Sequence, residues 1–444
     1  MSDVLLLVVG ILVAAVGVGV SIALHEVGHL LPAKRFGVRV TQYMVGFGPT
    51  LWSRRRGETE YGVKAIPLGG YIRMIGMFAP RPGDAPGTLR ASSTGRFGLM
   101  VEEARRQSAE EVAPGEEHRA FYRLSVPKRL AIMFGGPFVN LVLAFALLAV
   151  ALSALGTPQN TPLVSAVSRC VLPASATTAT ECAAGDPAAP GAAAGLRPGD
   201  RIVEFDGERV RDWQQVSAAI RAAGGREVEV VVVRDGARVV LRATPVLTER
   251  PAVDADGDPT GGTVQVGFLG VTPSVELVRQ PLSQVPALVG DQVAAVAGIV
   301  LNLPQRLVDV AQAAFGSAER DPNGPMGVVG IGRVAGELNQ LPPLVATDAL
   351  AERASRLLTL LASLNVALFV FNMIPLLPFD GGHIAGALWE GVKRTGARLL
   401  RRPDPGPVDV AKALPVAYAV SVLLIGMSLL LLYADIVRPV RLSG

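Results

Sequence analysis

Five consecutive residues, His25-Glu26-Val27-Gly28-His29, combine two imidazoles and a carboxylate at a spacing that suits metal chemistry. On a helix, side chains at positions i and i+4 lie one turn apart on the same face, so both imidazoles can bind one zinc ion. Glu26 lies next to that face, where its carboxylate can take a proton from a water activated by the metal. We therefore predict zinc ligands at His25 and His29 and a general base at Glu26.

A third ligand is predicted at Asp380, the only acidic residue of the segment 357–389. Two glycines follow it directly, and they allow the backbone to approach a metal closely. If the apolar runs that begin at residues 4 and 357 form helices, His25 lies about 32 Å and Asp380 about 34 Å from the start of its own helix. Two parallel helices would therefore place both residues at the same depth in the membrane. His383, beyond the glycines, is the alternative ligand. Two histidines and one carboxylate with an open position form a hydrolytic zinc site.

These residues lie at the ends of long apolar runs. The chain is 50% hydrophobic and only 18% charged, with a mean hydropathy of +0.40, whereas soluble proteins hold about 25% charged residues. Four runs of 21 to 26 residues contain no Asp, Glu, Lys or Arg and are long enough to cross a bilayer as helices: 4–24, 130–155, 357–379 and 413–434. The sequence thus predicts a multi-span α-helical membrane protein with four main transmembrane helices.

The positive charge follows this predicted topology. The segment from Lys34 to Arg129 carries 17 Lys and Arg residues against 9 Asp and Glu, and the loop before the last run adds six more basic residues. By the positive-inside rule both loops are cytoplasmic, which places the N-terminus, residues 157–350 and the C-terminus outside. Lys supplies only 5 of the 42 basic residues, which suggests a GC-rich bacterial genome. We therefore expect a bacterial plasma (inner) membrane protein with its metal site near the cytoplasmic side. The net charge of +4 is explained by topology, so no nucleic-acid partner is predicted.

One further apolar stretch, 292–305, has only 14 residues and contains Asn302 and Pro304. It is either an amphipathic helix on the outer face, which its length favours, or an additional span.

The outer stretch contains a predicted α+β domain. Residues 160–247 alternate β-rich runs with the turn signals Asp206-Gly207 and Asp235-Gly236 around a helical segment. A low-complexity insert occupies 173–190, and the only two cysteines, Cys170 and Cys182, lie just before it and within it. A disulfide between them and two free thiols are both compatible with the sequence.

With these features the chain resembles the bacterial site-2 proteases, the intramembrane zinc metalloproteases that include the regulator-of-sigma-E proteases. The resemblance covers almost the whole length. It lies in 24–38 with the HEVGH motif, 61–74, 135–140, 324–328 and 372–381. Residues 61–74 resemble the family's membrane-reentrant β-hairpin, and Asn372…Asp380-Gly381 is similar to its ligand motif.

The resemblance implies one zinc ion per chain, bound by His25, His29 and Asp380, with Glu26 catalytic. It implies an intramembrane metalloendopeptidase acting in regulated intramembrane proteolysis. The implied substrates are single-pass membrane proteins such as anti-sigma factors, and signal-peptide remnants.

Substrate-binding residues follow from the same resemblance. Gly69, Gly70 and Tyr71 of the hairpin would hold the substrate in an extended form. Asn372 would line the cleft, or would only satisfy the polar groups of a broken helix.

Residues 195–202 and 205–207 resemble a bacterial PDZ domain, present once and predicted to be extracytoplasmic. Such a domain either captures a peptide as an added strand or excludes bulky ectodomains.

The four predicted spans are 1–34, which contains HEVGH, 127–156, 355–383 and 412–436. Two cytoplasmic loops are predicted at 35–126 and 384–411, and the first of them contains the reentrant hairpin at about 38–78. The predicted outer part consists of the PDZ-like domain, 157–247, and a region with an amphipathic helix, 248–350. The alternative function is a non-catalytic PDZ-containing receptor or scaffold with structural zinc. Structural zinc usually has four protein ligands, and only three are visible here, which favours catalysis.

Overall fold

The computed structural model describes residues 3–79, 96–171, 182, 186–253, 259–316, 318, 320–321, 324–345 and 348–440. The chain divides into two compact units. Unit 1 comprises residues 1–155, 280–342 and 353–444, and unit 2 comprises 156–279 and 343–352.

The helices of more than one turn number eleven in the described part of the chain, apart from short 3₁₀ segments. They are α1 (Asp3–Arg35), α2 (Arg96–Glu110), α3 (Val126–Leu148), α4 (Pro190–Ala193), α5 (Trp213–Ala222), α6 (Val285–Leu301), α7 (Leu303–Phe315), α8 (Val328–Gln340), α9 (Ala349–Asn372), α10 (Asp380–Leu399) and α11 (Leu414–Val437). A π-helical segment, Ala149–Leu155, continues α3.

The strands are β1 (Val40–Arg56), β2 (Thr59–Met74), β3 (Thr157–Val167), β4 (Arg201–Phe205), β5 (Glu208–Arg209), β6 (Val228–Arg234), β7 (Ala237–Ala243), β8 (Val246–Val253), β9 (Pro259–Phe268) and β10 (Val271–Val278).

Five helices in the described residues are long and apolar enough to cross a membrane. They are Asp3–Arg35, Val126–Leu155, Leu282–Leu301, Ala349–Asn372 and Val410–Val437. Four of them contain or overlap the four apolar runs of the sequence. The fifth extends N-terminally across Asp291, the charge that bounded the 14-residue stretch, and reaches 20 residues.

Helices α6 and α7 form a helical pair that begins beside the C-terminal end of α3 and ends beside the C-terminal end of α11. Val289 of α6 packs with Leu148 at the C-terminal end of α3. Ala314 of α7 packs with Ala434 at the C-terminal end of α11. The pair therefore starts next to one helix C-terminus and finishes next to another.

Helix α8 lies against α1 and is capped by α11. Asn339 Nδ2 of α8 donates to the Leu6 carbonyl oxygen at 2.6 Å. At the other end, the buried Asp435 carboxylate accepts from the backbone N–H groups of Gly327 and Gly330 at 2.9 and 2.7 Å. A carboxylate at a helix N-terminus satisfies free N–H groups and interacts favourably with the helix dipole.

Strands β1 and β2 fold back on each other and pair twice. Residues 40–45 pair with 70–74 on one side and lie beside 60–63 on the other, and residues 52–56 pair with 59–63. The outer strands of this small sheet are therefore 70–74 and 52–56.

The sheet runs alongside the C-terminal part of α1. At one end Val40 and Met74 pack with Leu30 and Ala33 in a buried apolar cluster. At the other end Gly70 lies so close to α1 that a Cβ atom there would be 3.1 Å from the Ile22 side chain.

Unit 2 is built around a six-stranded sheet with the order β10-β3-β4-β6-β7, in which β5 pairs with β4. Its core packs α5 on this sheet through Val164, Ile202, Phe205, Val216 and Val230, among others. Asp212 caps α5 by accepting from the Gln215 N–H at 2.8 Å. Asp206 and Asp235, the first residues of the two predicted turns, both have positive φ, as tight hairpin turns require.

Cys170 and Cys182 form a disulfide in unit 2. The predicted insert 173–190 lies mostly outside the described residues, so its conformation stays a prediction.

Candidate metal centre

Three buried or nearly buried side chains from α1 and α10 converge on one point. The Nε2 atoms of His25 and His29 are 3.2 Å apart, and Asp380 Oδ2 lies 3.4 and 3.3 Å from them. Zinc bonds of about 2.0–2.2 Å in a tetrahedron place neighbouring ligand atoms about 3.3–3.6 Å apart. The spacing of these three atoms therefore fits zinc. Asp380 Oδ2 is also buried without a hydrogen-bond partner, as expected for an atom reserved for a metal.

Asp380 reaches this point because α9 ends well before it. Helix α9 stops at Asn372, the chain turns through 373–379, and α10 begins at Asp380. A Cβ atom at Gly381 would overlap the Ile374 carbonyl group, and one at Gly382 would lie 2.6 Å from the Leu377 nitrogen. The two glycines are therefore needed for the tight return of the chain, rather than for approach of the backbone to the metal.

The ring nitrogens that face away from the cluster have partners on α3. His29 Nδ1 lies 2.8 Å from the Ile132 carbonyl oxygen, so Nδ1 carries the proton and the Nε2 lone pair faces the cluster. His25 Nδ1 lies 3.0 Å from the Asn140 amide, whose Oδ1 is buried without a partner. Because amide nitrogen and oxygen are assigned from hydrogen bonding, the amide can be turned so that Oδ1 accepts from Nδ1–H of His25. Both imidazoles then present Nε2 as a ligand.

Glycines let α3 approach α1 closely enough for these contacts. A Cβ atom at Gly136 would overlap the His29 ring, and Gly28 and Gly135 are in direct backbone contact. Gly28 is the fourth residue of the HEVGH motif, and the absence of a side chain at this position allows α1 and α3 to cross closely.

Glu26 is buried and lies between the metal cluster and β2. A Cβ atom at Gly70 would be 2.9 Å from Glu26 Cγ, and the Ile72 backbone hydrogen-bonds the Glu26 carboxylate. Gly69 has φ +125° and faces the Phe47 ring, on which Tyr71 stacks with ring centroids 6.2 Å apart. Outer strand 70–74 therefore passes directly beside the predicted base.

Comparison with known proteins identifies the group to which this centre belongs. The family model of peptidase family M50 matches residues 13–399. The chain belongs to peptidase family M50.

Named relatives of this M50 protein share the activity in their names. The chain is 34% identical to zinc metalloprotease Rip1 of Mycobacterium tuberculosis over 445 residues, which is 99% of this chain and 100% of the relative. It is 33% identical to zinc metalloprotease Rip1 of Mycolicibacterium smegmatis over 448 residues, 98% of each chain. Metalloprotease MmpA of Caulobacter vibrioides is 29% identical over 387 residues, 85% of this chain and 86% of the relative.

The M50 protein is therefore a multi-pass, site-2-type intramembrane zinc metalloprotease, and the predicted activity and zinc cofactor are confirmed. Membership also confirms the resemblance read from the sequence motifs. The protein is accordingly an enzyme, and the alternative of a non-catalytic receptor or scaffold with structural zinc is set aside.

The remaining predicted site residues of this M50 protease lie outside the group of ligand atoms. His383, the alternative ligand, is half-buried one turn beyond Asp380, and the described cluster consists of His25, His29 and Asp380. Asn372 is the last residue of α9 and half-buried. Its role in a substrate cleft stays a prediction.

Sequence reasoning assigned no role to Asn140. It falls in the motif 135–140, and it is the only residue with an amide side chain in the run 130–155, where the other polar side chain is Ser153. An isolated amide in an apolar span is costly unless it is used, and that signal pointed to this position.

A buried ionic cluster fixes α10, which carries Asp380, to α3. Glu390 is fully buried and forms an ion pair with Arg129 of α3. It also accepts from Arg394 at 3.1 Å and from the Val408 N–H at 2.9 Å. A buried carboxylate with this many donors is well compensated, so the start of α10 is held in a defined position.

Proposed function

We propose that this M50 protease cleaves peptide bonds within the transmembrane segments of single-pass membrane proteins. His25, His29 and Asp380 hold the single zinc ion, and Glu26 is the general base. The observation that carries the proposal is the set of three ligand atoms at 3.2–3.4 Å from one another, with Glu26 and an outer β-strand beside them.

The protein's own residues divide the catalytic work. Bound zinc supplies Lewis-acid polarisation of the scissile carbonyl and activation of a water. Glu26 takes the proton of that water and returns it to the leaving amine. Ile132 and Asn140 keep the two imidazoles in the tautomer that binds metal.

A substrate helix hides its amides in its own hydrogen bonds, so the segment to be cut must unwind. Strand 70–74 pairs with β1 on one side within the described residues, and an extended peptide can add to the other side as a further strand. Gly69, Gly70 and Tyr71 lie at the end of this strand nearest Glu26. They are therefore the proposed contacts for the unwound backbone, and Asn372 is the proposed contact at the end of α9.

The proposed topology has four crossings, through α1, α3, α9 and α11. Helices α6 and α7 begin and end beside the C-terminal ends of α3 and α11, which parity and the basic loops assign to the outer side. The pair therefore enters and leaves the membrane on that side, and Leu282–Leu301 does not add a crossing. The N-terminus and unit 2 are then extracytoplasmic, and the metal centre lies toward the cytoplasm.

Unit 2 is proposed to be a PDZ-like domain. A cavity of about 420 Å³ lies between α5 and the β9–β10 turn, lined by Trp213, Ile220, Arg250, Phe268 and Leu269, among others. Its apolar lining suits an extended peptide that joins the sheet, with exclusion of bulky ectodomains as the alternative role. Anti-sigma factors and signal-peptide remnants are the proposed substrates.

The experiment that tests the proposed function combines metal analysis with a cleavage assay on the purified full chain. A fluorescent single-span protein serves as substrate, with and without a chelator. We expect one zinc per chain, loss of cleavage in chelator and recovery on adding zinc. Undiminished cleavage by zinc-free protein would contradict the proposal, and so would zinc binding without any cleavage of the single-span substrate.

A further inference from the structure

Residues 50–56 comprise the second outer strand of the β1–β2 sheet, 52–56, and the two residues before it, and all of them are exposed. Every residue from Phe47 to Arg56 is exposed, including Leu51 at 70% and Trp52 at 58%. Adjacent large apolar side chains that are exposed on a sheet edge mark a site of contact with a membrane or another protein.

The pairing register gives the depth of each part of this strand. Arg54 pairs with Tyr61, whose hydroxyl accepts from Lys34 Nζ at 2.7 Å near the charged C-terminal end of α1. Trp52 pairs with Val63, and Val63 in turn lies beside Val45. Val45 pairs on its other side with Gly70, so Trp52 and Gly70 lie at the same level of the sheet. Because Gly70 packs against Ile22, in the apolar part of α1, Trp52 lies deeper than Arg54. The strand therefore runs from an apolar level to the polar boundary at which α1 ends.

Three consecutive cations occupy that boundary. Arg54, Arg55 and Arg56 are exposed, and none of their side chains forms an ion pair within the described residues. Of the two acids in the adjacent turn and strand, Glu58 is engaged elsewhere, whereas Glu60 lies opposite Arg55 in the pairing register and interacts with it electrostatically. Glu58 pairs with Arg119 at 2.6 Å, and Glu60 accepts from Gln42 Nε2 at 3.3 Å. Three exposed cations thus face a single nearby carboxylate, and the net positive charge of the triplet is available to an anionic partner.

We propose that strand 50–56 is a lipid-facing anchor that binds the phosphate groups of anionic phospholipids. Leu51 and Trp52 lie at the edge of the hydrocarbon, where tryptophan is favoured. Arg54, Arg55 and Arg56 contact the headgroups, and guanidinium groups bind phosphate oxygens in pairs. The anchor sits at the edge of the sheet opposite strand 70–74, so anionic lipid holds in place the sheet that lies beside Glu26.

The test measures lipid composition around Trp52 in the full chain and needs no cleavage. Trp213→Phe and Trp389→Phe leave Trp52 as the single tryptophan. This parent protein is reconstituted in vesicles of equal parts phosphatidylcholine and phosphatidylglycerol, with one of the two lipids brominated at a time. Each arginine near an anionic surface strengthens lipid binding about fivefold. We therefore expect brominated phosphatidylglycerol to quench Trp52 several-fold more strongly than brominated phosphatidylcholine.

The Arg54→Gln, Arg55→Gln, Arg56→Gln variant of this parent should be quenched equally by both lipids. A matched variant with Arg398→Gln, Arg401→Gln and Arg402→Gln, which removes three exposed arginines from the end of α10 and the loop after it, should keep the preference. In the parent, 1 M salt should reduce the preference, since the screening length falls from about 8 Å at 0.15 M to about 3 Å.

Equal quenching of the parent by both lipids would overturn the proposal, as would equal loss of preference in the two triple variants. Quenching by neither lipid would also overturn it and would identify the strand as a protein-contact surface. Because these readouts do not depend on zinc or turnover, they fail or succeed separately from the proposed protease mechanism.

Discussion

At the scale of single residues, the centre is defined by which nitrogen of each imidazole is free. The Ile132 carbonyl and the Asn140 amide, both on α3, occupy the two Nδ1 positions. That arrangement leaves both Nε2 atoms and Asp380 Oδ2 facing one another at distances that suit zinc. The proposed metal ligands and the proposed general base are thus different side chains, so substitutions can test the two roles separately.

Replacing Glu26 with Gln tests the base. Glutamine keeps the shape of the side chain but cannot take a proton, and general acid–base catalysis contributes about 10²–10⁴-fold. We expect Glu26→Gln protein to bind one zinc ion and to cleave the single-span substrate at least about a hundredfold more slowly. Metal content is measured on the same preparation as the cleavage rate. A variant that cleaves at the wild-type rate would remove Glu26 from the mechanism.

Replacing Asp380 with Ala tests the third ligand. The change leaves two imidazoles, and we expect zinc to be lost on dialysis against a weak chelator, with loss of cleavage. His383→Ala is the matched control, since His383 lies one turn away on the same helix. We expect the His383→Ala protein to keep its zinc. If Asp380→Ala retained full occupancy while His383→Ala lost it, the ligand would be His383.

At the scale of elements, the centre depends on the close crossing of α1 and α3. The crossing is made possible by Gly28, Gly135 and Gly136, which have no Cβ atoms to separate the two backbones. The ion pair between Arg129 and Glu390 then ties α10 to the same helix. Helix α3 contributes none of the three proposed zinc ligands, yet it contacts both helices that carry them.

A single methyl group tests the crossing. In Gly136→Ala the new Cβ atom would overlap the His29 ring, and changes that displace a ligand's support cost about 10–100-fold in metal affinity. We expect zinc affinity to fall by at least about tenfold in a competition titration. Gly19→Ala in α1 is the control, because a Cβ atom there meets nothing within 4 Å. Equal affinity in the two variants would show that the helices separate without cost.

At the scale of the whole molecule, unit 1 carries the candidate metal centre and unit 2 has its own core and its own electrostatic constraint. Asp200 in unit 2 is buried and bonds Arg234 at 2.7 and 2.8 Å and the Arg197 N–H at 2.8 Å. Burial alone would raise the pKa of the Asp200 carboxyl, but these hydrogen bonds outweigh burial and lower the pKa below its usual value.

The lowered pKa predicts acid sensitivity of unit 2. A carboxyl with a lower pKa in the folded state stabilises the fold above its unfolded pKa of about 3.9, and this stability is lost as the pH falls through the folded value. We expect the free energy of unfolding to fall below about pH 4, and Asp200→Asn to cost about 1.5–3 kcal/mol at pH 7 and to weaken the pH dependence. Trp213 fluorescence during urea unfolding of the full chain reports it, in a Trp52→Phe, Trp389→Phe background.

Asp206→Asn is the control for this acid sensitivity, since Asp206 pairs with Arg226 on the surface. It should leave both the stability at pH 7 and the pH dependence nearly unchanged. Equal effects of the two substitutions would assign the acid sensitivity to net charge rather than to the buried pair.

Much of the helical framework was predictable, because long apolar runs have few alternatives to helices in a membrane. The runs 4–24, 130–155, 357–379 and 413–434 all lie largely within helices. A broken helix at Asn372 was one of two alternatives, but the start of α10 at Asp380 was not predicted, since a helix end inside an apolar run is set by packing against neighbouring segments. The length of the helix that contains Asp291 was also not predicted, because the apolar stretch was taken to begin after Asp291 and a single charge does not end a helix.

The HEVGH motif indicated a pair of ligands, and depth along two helices indicated Asp380. Neither argument reaches the contacts on α3, because hydrogen bonds between residues 25 and 140 leave no periodic pattern in a single sequence. The double pairing of β1 and β2 was hidden too, since the long strands look like one simple hairpin until Gly46 and Gly48, both with positive φ, bend β1 back.

The large sequence separation between His29 and Asp380, more than three-quarters of the chain, has a consequence for biosynthesis. With this ligand set, a ribosome must complete nearly the entire polypeptide before the third donor atom exists. A nascent chain whose first helices are already inserted therefore lacks a finished catalytic apparatus. With Asp380 as the proposed third ligand, hydrolytic competence requires the late helices to assemble against the early ones.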